Sequence, residues 1–173
     1  AAVGENDYYN ARASFRKQWV GLTDNPIGTE LLTLTKGFGK NGLGVTVFND
    51  KTGGAFNKSG LALSYSHRVN FEGSELYLGI SAGSSKINIE NITDPALINT
   101  DDMIAEASFG AYYKIKNFKV GVSIPGMLNA NMELTESSKN TLDRHFYTMI
   151  AWQEKLSDQW SVYPSILIKT TTN

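Results

Sequence analysis

The chain predicts an all-β fold, an antiparallel up-and-down barrel, on three observations. Nine stretches alternate apolar and polar residues with period two, the connections between them alternate between long and short, and helical periodicity is nowhere sustained. Successive side chains of an extended strand point to opposite faces, so each stretch is a ribbon with one apolar and one polar side. Ribbons joined by up-and-down connections close into a barrel. Residues 1–173 read as one barrel domain, with no linker, low-complexity tract or fixed repeat period.

The first strand is expected over residues 8–19, where Arg12, Ser14, Arg16 and Gln18 alternate with Ala11, Ala13, Phe15 and Trp19. Lys17 is the exception on its apolar side, tolerable near a rim because the flexible stem carries the charge to water. The second and third, 27–37 and 42–50, flank the turn Gly37-Phe38-Gly39-Lys40-Asn41. In the fourth, 56–68, Leu61, Leu63 and Tyr65 oppose Ala62, Ser64, Ser66 and Arg68. In the fifth, 75–86, Leu76, Leu78, Ile80 and Ala82 oppose Tyr77, Gly79, Ser81 and Gly83, after a brief turn through Asn70-Phe71-Glu72-Gly73-Ser74. The sixth, 103–116, sets Glu106, Ser108, Gly110, Tyr112 and Lys114 against Ala105, Ala107, Phe109, Ala111 and Tyr113, and it meets the seventh, 118–125, across Lys116-Asn117. The eighth and ninth, 142–156 and 159–170, are separated by Ser157-Asp158.

A soluble barrel is apolar inside and an outer-membrane barrel apolar outside, so the decisive question is where the apolar face points. The four short turns fall on one rim. The connections 21–26, 51–55, 87–102 and 126–141 fall on the other, which is the arrangement of outer-membrane barrels. With the apolar face outermost, Tyr113, Phe118, Trp152 and Trp160 gather at the short-turn rim, as an interfacial aromatic girdle does. No run approaches the roughly eighteen apolar residues of a membrane helix, so any crossing is by strands. The expected fold is therefore a transmembrane outer-membrane barrel. Nine strands is an odd number, and bacterial barrels of this kind normally hold an even one, so a fragment of a larger barrel is expected.

Sixteen basic and seventeen acidic residues leave a net charge of −1, which offers no electrostatic grip on nucleic acid. The absence of cysteine removes disulfides, thiol nucleophiles and thiolate metal sites together. The opening AAVGENDYYN has neither a basic segment nor an apolar core and reads as no secretory signal, so the chain is mature, trimmed or not exported.

Candidate chemistry is sparse. His67 or His145 with Ser64 or Ser66 and Asp143 makes a nominal hydrolase triad, a combination that arises by accident in chains of this size, and no GxSxG elbow is present. Glu90, Asp94, Asp101 and Asp102 lie in one long loop with no EF-hand spacing. Gly37-Phe38-Gly39 and Gly42-Leu43-Gly44 bracket a hairpin and lead into no helix, so they are not phosphate-binding glycines. Asn91-Ile92-Thr93 is a formal sequon without weight in a bacterial setting. Arg12, Arg16, Arg68, Glu106 and Lys114 on the polar face need water or opposite charges, and are expected to form an interior network. No enzyme, cofactor or metal is expected.

Several unusual peptides coincide in order. Arg16-Lys17-Gln18-Trp19 precedes Gly21, Pro26 and Thr29; then come Gly42-Leu43-Gly44, Asp50 with Gly53-Gly54, Ser64-Tyr65-Ser66-His67, and Leu76 with Gly79. Arg144-His145-Phe146-Tyr147 precedes Pro164-Ser165-Ile166-Leu167-Ile168-Lys169. Over about residues 12–169 the chain resembles the PorP/SprF family of outer-membrane proteins from Bacteroidota, linked to type IX secretion and gliding motility. The resemblance implies a non-enzymatic barrel in the Gram-negative outer membrane, partnered by type IX components, a secreted surface adhesin and outer-membrane lipid. It singles out Arg16, Gln18, Trp19, Tyr65, His67, Arg144 and His145 as candidate motif residues, in lumen or partner contacts. Family members are longer and open with a segment rich in asparagine, proline and tyrosine, here abbreviated to Tyr8-Tyr9-Asn10. A general porin or small-solute channel, a soluble lipid-carrying barrel with its apolar face inward, and, more distantly, a lipolytic barrel are the competing readings.

Overall fold

A computed structural model describes residues 3, 5–22, 26–53, 56–89, 100–128, 131–135, 138–141 and 145–171. The strands in chain order are β1 Tyr9–Gln18, β2 Ile27–Phe38, β3 Asn41–Thr52, β4 Phe56–Phe71, β5 Ser74–Ile89, β6 Thr100–Ile115, β7 Phe118–Ile124, β8 Asn131–Thr135, β9 Ser138–Thr141, β10 His145–Trp152, β11 Glu154–Lys155, β12 Ser161–Val162 and β13 Ser165–Thr171. Nine of them form one antiparallel sheet in the order β1-β2-β3-β4-β5-β6-β7-β10-β13. This is a curled up-and-down sheet, the wall of an incomplete barrel. Two small hairpins, β8–β9 and β11–β12, lie beside it. Among the described residues there is no helix, and β1 and β13 each have a neighbour on one side alone.

The nine expected strands are the nine of the sheet, and their boundaries show where local pattern gives way to packing. Strands β5 and β6 run on past residue 86 and begin before residue 103, pairing as far as Ile89↔Thr100. Ile87, Ile89 and Ile104 make a buried apolar cluster there with Phe56 against it, and that burial holds the extra rungs together. The eighth and ninth strands are shorter than expected. Pro164 has no N–H to give the ladder. Trp152 N–H still donates to the Pro164 carbonyl at 3.0 Å and Gln153 N–H to the Asn117 carbonyl at 2.9 Å, and these are the last rungs beside the end of β10 at Trp152. The intervening chain forms the β11–β12 hairpin, with Trp160 in its bend, where sequence alone places Trp160 at the start of the ninth strand. On the same rim, Gly39 at φ 61° and Gly73 at φ 77° make tight turns in a conformation glycine adopts without penalty.

The register sorts side chains onto two faces. The convex face carries continuous apolar rows, among them Leu34, Val45, Leu63, Ala82 and Ala107 in direct opposition across five strands. Leu63 is 59% exposed and Ile80 60%. On the concave face Tyr77, Tyr112, Ser66 and Ser85 are buried. One concave row is small throughout: Gly37, Gly42, Ser66, Gly79, Gly110 and Ser123 stand opposite one another from β2 to β7. The row beside it reads Thr35, Gly44, Ser64, Ser81 and Ser108. Together they form a shallow trough running across the strands.

Candidate functional site

The concave face holds the polar chemistry, in two groups set at opposite ends of the strands. Near the short turns, Lys114 and Lys119 stand opposite each other on β6 and β7. Lys114 Nζ lies 3.4 Å from Glu75 and 3.4 Å from Glu5, Lys119 Nζ lies 3.5 Å from Glu5, and Arg68 reaches Glu75 at 3.6 Å. The Tyr77 hydroxyl donates to Glu75 at 3.2 Å, and its ring packs on Tyr112 with centroids 5.6 Å apart. Arg68 also donates to the Gly39 carbonyl at 2.8 Å, tying the group to the β2–β3 turn.

Toward the long loops, Lys58 Nζ and Glu106 are 2.5 Å apart, and the Ser85 hydroxyl donates to the same carboxylate oxygen at 3.0 Å. Lys58 and Glu106 lie two strands apart. They meet diagonally across β5, past the small side chain of Ser85, which stands one row from each. A hollow of about 300 Å³ beside this pair is lined by Ser108, His145 and Tyr147 among others. The His145 and Tyr147 rings stack at 6.4 Å, and Lys169 lies 5.4 Å from the Tyr147 ring.

The expected interior network is therefore two separate groups. It contains Arg68, Glu106 and Lys114, and it gains Lys58, Glu75, Lys119 and Glu5, which sequence reasoning missed. Lys58 and Glu75 fall at polar positions of the period-two pattern and could have been noticed. Glu5 precedes every strand and gives no periodic signal. No ion pair among the described residues involves Arg12 or Arg16.

The motif residues are scattered. Arg16 and Gln18 are on β1, opposite Thr29 and Ile27. Trp19 is 61% exposed, adopts φ 59°, and its carbonyl accepts from Leu22 N–H at 3.1 Å. Tyr65 and His67 are on the convex face and share one partner: the Tyr65 hydroxyl donates to Asn41 Oδ1 at 2.7 Å, and His67 Nδ1 lies 2.9 Å from the same oxygen. His145 is on the concave face. Arg144, Asp143, Glu90, Asp94, Gly54 and the 91–93 sequon lie outside the described residues. Tyr113, Phe118 and Trp152 share the convex face, with Phe118 directly opposite Trp152, while Trp160 closes the turn of its hairpin, its carbonyl accepting from Leu156 N–H at 2.9 Å, and is 71% exposed.

His67 and the pair Ser64 and Ser66 lie on opposite faces of the sheet, so they build no triad together. Ser64 is hydrogen-bonded to Ser81 at 3.1 Å, and Ser66 donates to the Val3 carbonyl. Among the described residues no three acidic or histidine side chains gather to hold a metal ion.

A model of the family described as type IX secretion system membrane protein PorP/SprF matches residues 1–173, the whole chain. The chain belongs to the PorP/SprF family. No curated protein and no solved structure matches it. PorP/SprF membership associates this sheet with a secretion-system membrane protein, and a strand-built wall is compatible with that setting because strands can cross a membrane where no helix is available.

Proposed function

We propose that the chain forms part of the wall of a non-enzymatic outer-membrane barrel that anchors or hands on a secreted surface adhesin for the type IX apparatus. The observation that carries this reading is the division of the sheet: exposed leucine, valine and isoleucine rows on the convex side, glycine, serine and paired charges on the concave side. Lipid then covers the convex face, and the concave face is the wall of a polar lumen. Tyr113, Phe118 and Trp152 fall at headgroup level on the short-turn rim, where amphipathic rings are favoured. A lipid-carrying soluble barrel needs the opposite arrangement.

The long-loop rim faces outward in this orientation and meets the adhesin. Tyr65 and His67, fixed on Asn41 near the other rim, face the lipid boundary and are available to a neighbouring membrane component. Affinity purification in mild detergent is expected to recover a type IX component and a surface adhesin from the outer-membrane fraction. Recovery of neither, from protein that fractionates with the outer membrane, would overturn the adhesin role. A conductance measurement on planar bilayers separates it from a general porin, which passes solute freely without any partner.

A further inference from the structure

Val3 and Glu5, ahead of β1, lie against the sheet. Val3 lies on the concave trough, its side chain so close to Gly44 that a Cβ on that glycine would stand 3.1 Å from it. The Val3 carbonyl accepts the Ser66 hydroxyl, and two residues on, Glu5 is held between Lys114 and Lys119 at 3.4 and 3.5 Å. These contacts are of three kinds: an apolar fit over a glycine, a backbone hydrogen bond, and a carboxylate between two ammonium groups. Val3 lies in a turn and Glu5 at a bend, two positions apart in sequence.

We propose that this trough is a peptide-binding cradle, occupied in cis by Val3 and Glu5, which accepts in their place an acidic peptide from another protein with an aliphatic residue two positions before a carboxylate. The chemistry of the cradle specifies that ligand. The trough offers nothing larger than serine or threonine where a backbone must approach. With the cis segment withdrawn, Glu5 leaves Lys114 and Lys119 and Asp7 leaves the neighbourhood of Arg68, so that three cations remain with Glu75 and an excess of positive charge awaits an incoming anion. Glu5 and both lysines keep about a quarter to a third of their side-chain surface in solvent. Partly exposed ion pairs hold weakly, so the cis segment is exchangeable, and its tethering makes it a competitor that an outside peptide must displace.

The test measures fluorescence anisotropy of labelled Ala-Val-Gly-Glu-Asn-Asp, the chain's own segment, against the purified protein in detergent. Glu5→Gln weakens the cis competitor, and this variant is expected to bind the peptide about fivefold to tenfold more tightly than the unaltered protein. The same peptide with glutamine in place of its glutamate is expected to bind at least about tenfold more weakly, as loss of a charge-assisted contact predicts. Lys114→Gln with Lys119→Gln abolishes binding, and Lys114→Arg with Lys119→Arg retains it, which separates loss of charge from loss of fold. Equal binding of the acidic and glutamine peptides overturns the proposal. So does absence of binding to a Glu5→Gln protein that still shows the heat-modifiable gel migration of a folded barrel. The assay contains no secretion component, so its outcome is independent of the adhesin role.

Discussion

Gly83 and Glu106 show how much depends on single positions of the concave face. A Cβ built on Gly83 collides with the Leu61 carbonyl oxygen and sits 2.7 Å from Ala62 Cα, both backbone atoms that cannot swing aside. Gly83→Ala is therefore expected to cost about 1–3 kcal/mol, the usual range for overpacking, read as a fall in the urea midpoint in detergent. Loss of Glu106 strands Lys58 and the Ser85 hydroxyl together. Glu106→Ala is expected to cost about 1–3 kcal/mol, more than Ser85→Ala, because it leaves a partly buried charge unpaired. A double-mutant cycle of Lys58 with Glu106 gives a coupling near zero if the pair is held apart in solution. Arg68 and Glu106 could be assigned to the interior from alternation alone. Which residue each one pairs with could not be read there, since Lys58 meets Glu106 diagonally across β5 and only the register brings the two together.

Among the elements, β4 is the clearest test of the two faces. Cysteines placed in turn at Leu61, Leu63 and Tyr65 are expected to resist a water-soluble maleimide in vesicles, and cysteines at Ala62 and Ser64 to react, giving a two-residue period. Uniform labelling along β4 would sink the assignment of faces. Leu63→Arg is expected to cost about 2–4 kcal/mol and His67→Arg, close to the rim on the same face, about 0–1 kcal/mol, because the cost of a charge falls with distance from the midplane. Phe118 and Trp152 are direct neighbours on adjacent strands. Replacing both with alanine is expected to lower stability in vesicles more than in detergent if they serve an interface. Strand existence is legible in the sequence because period two is a local property. The ends of β10 and β13 are not, because they depend on what Pro164 withholds and on the carbonyl of Asn117, 36 residues earlier in the chain than Gln153.

For the whole molecule, the nine-stranded sheet has two edges. Strands β1 and β13 are exposed along their described lengths apart from Gln18, and each offers a row of backbone groups without strand partners in the described sheet. In hydrocarbon an unsatisfied backbone group costs several kcal/mol, so an edge in lipid has to be matched by another strand. Hydrogen exchange in vesicles is expected to show β1 and β13 amides as protected as those of β4. Fast exchange at both would mean that the edges are wet and the wall is not closed. The odd strand number anticipates this from sequence, since it leaves the two edge strands pointing the same way along the barrel. The cis segment on the trough could not be anticipated, because Val3 and Glu5 belong to no strand and their contacts are to residues far along the chain.

The order of strands in the large sheet is also their order along the chain, with only the two small hairpins standing aside. Each strand can therefore be added to the one made just before it by closing a single connection, and the entropy of bringing distant segments together is deferred. Assembly is then a zipper, free to start at any hairpin and to grow in either direction. What that sequence of steps leaves to the end is the pairing of the β1 and β13 edges, which has no neighbour in the chain to build on.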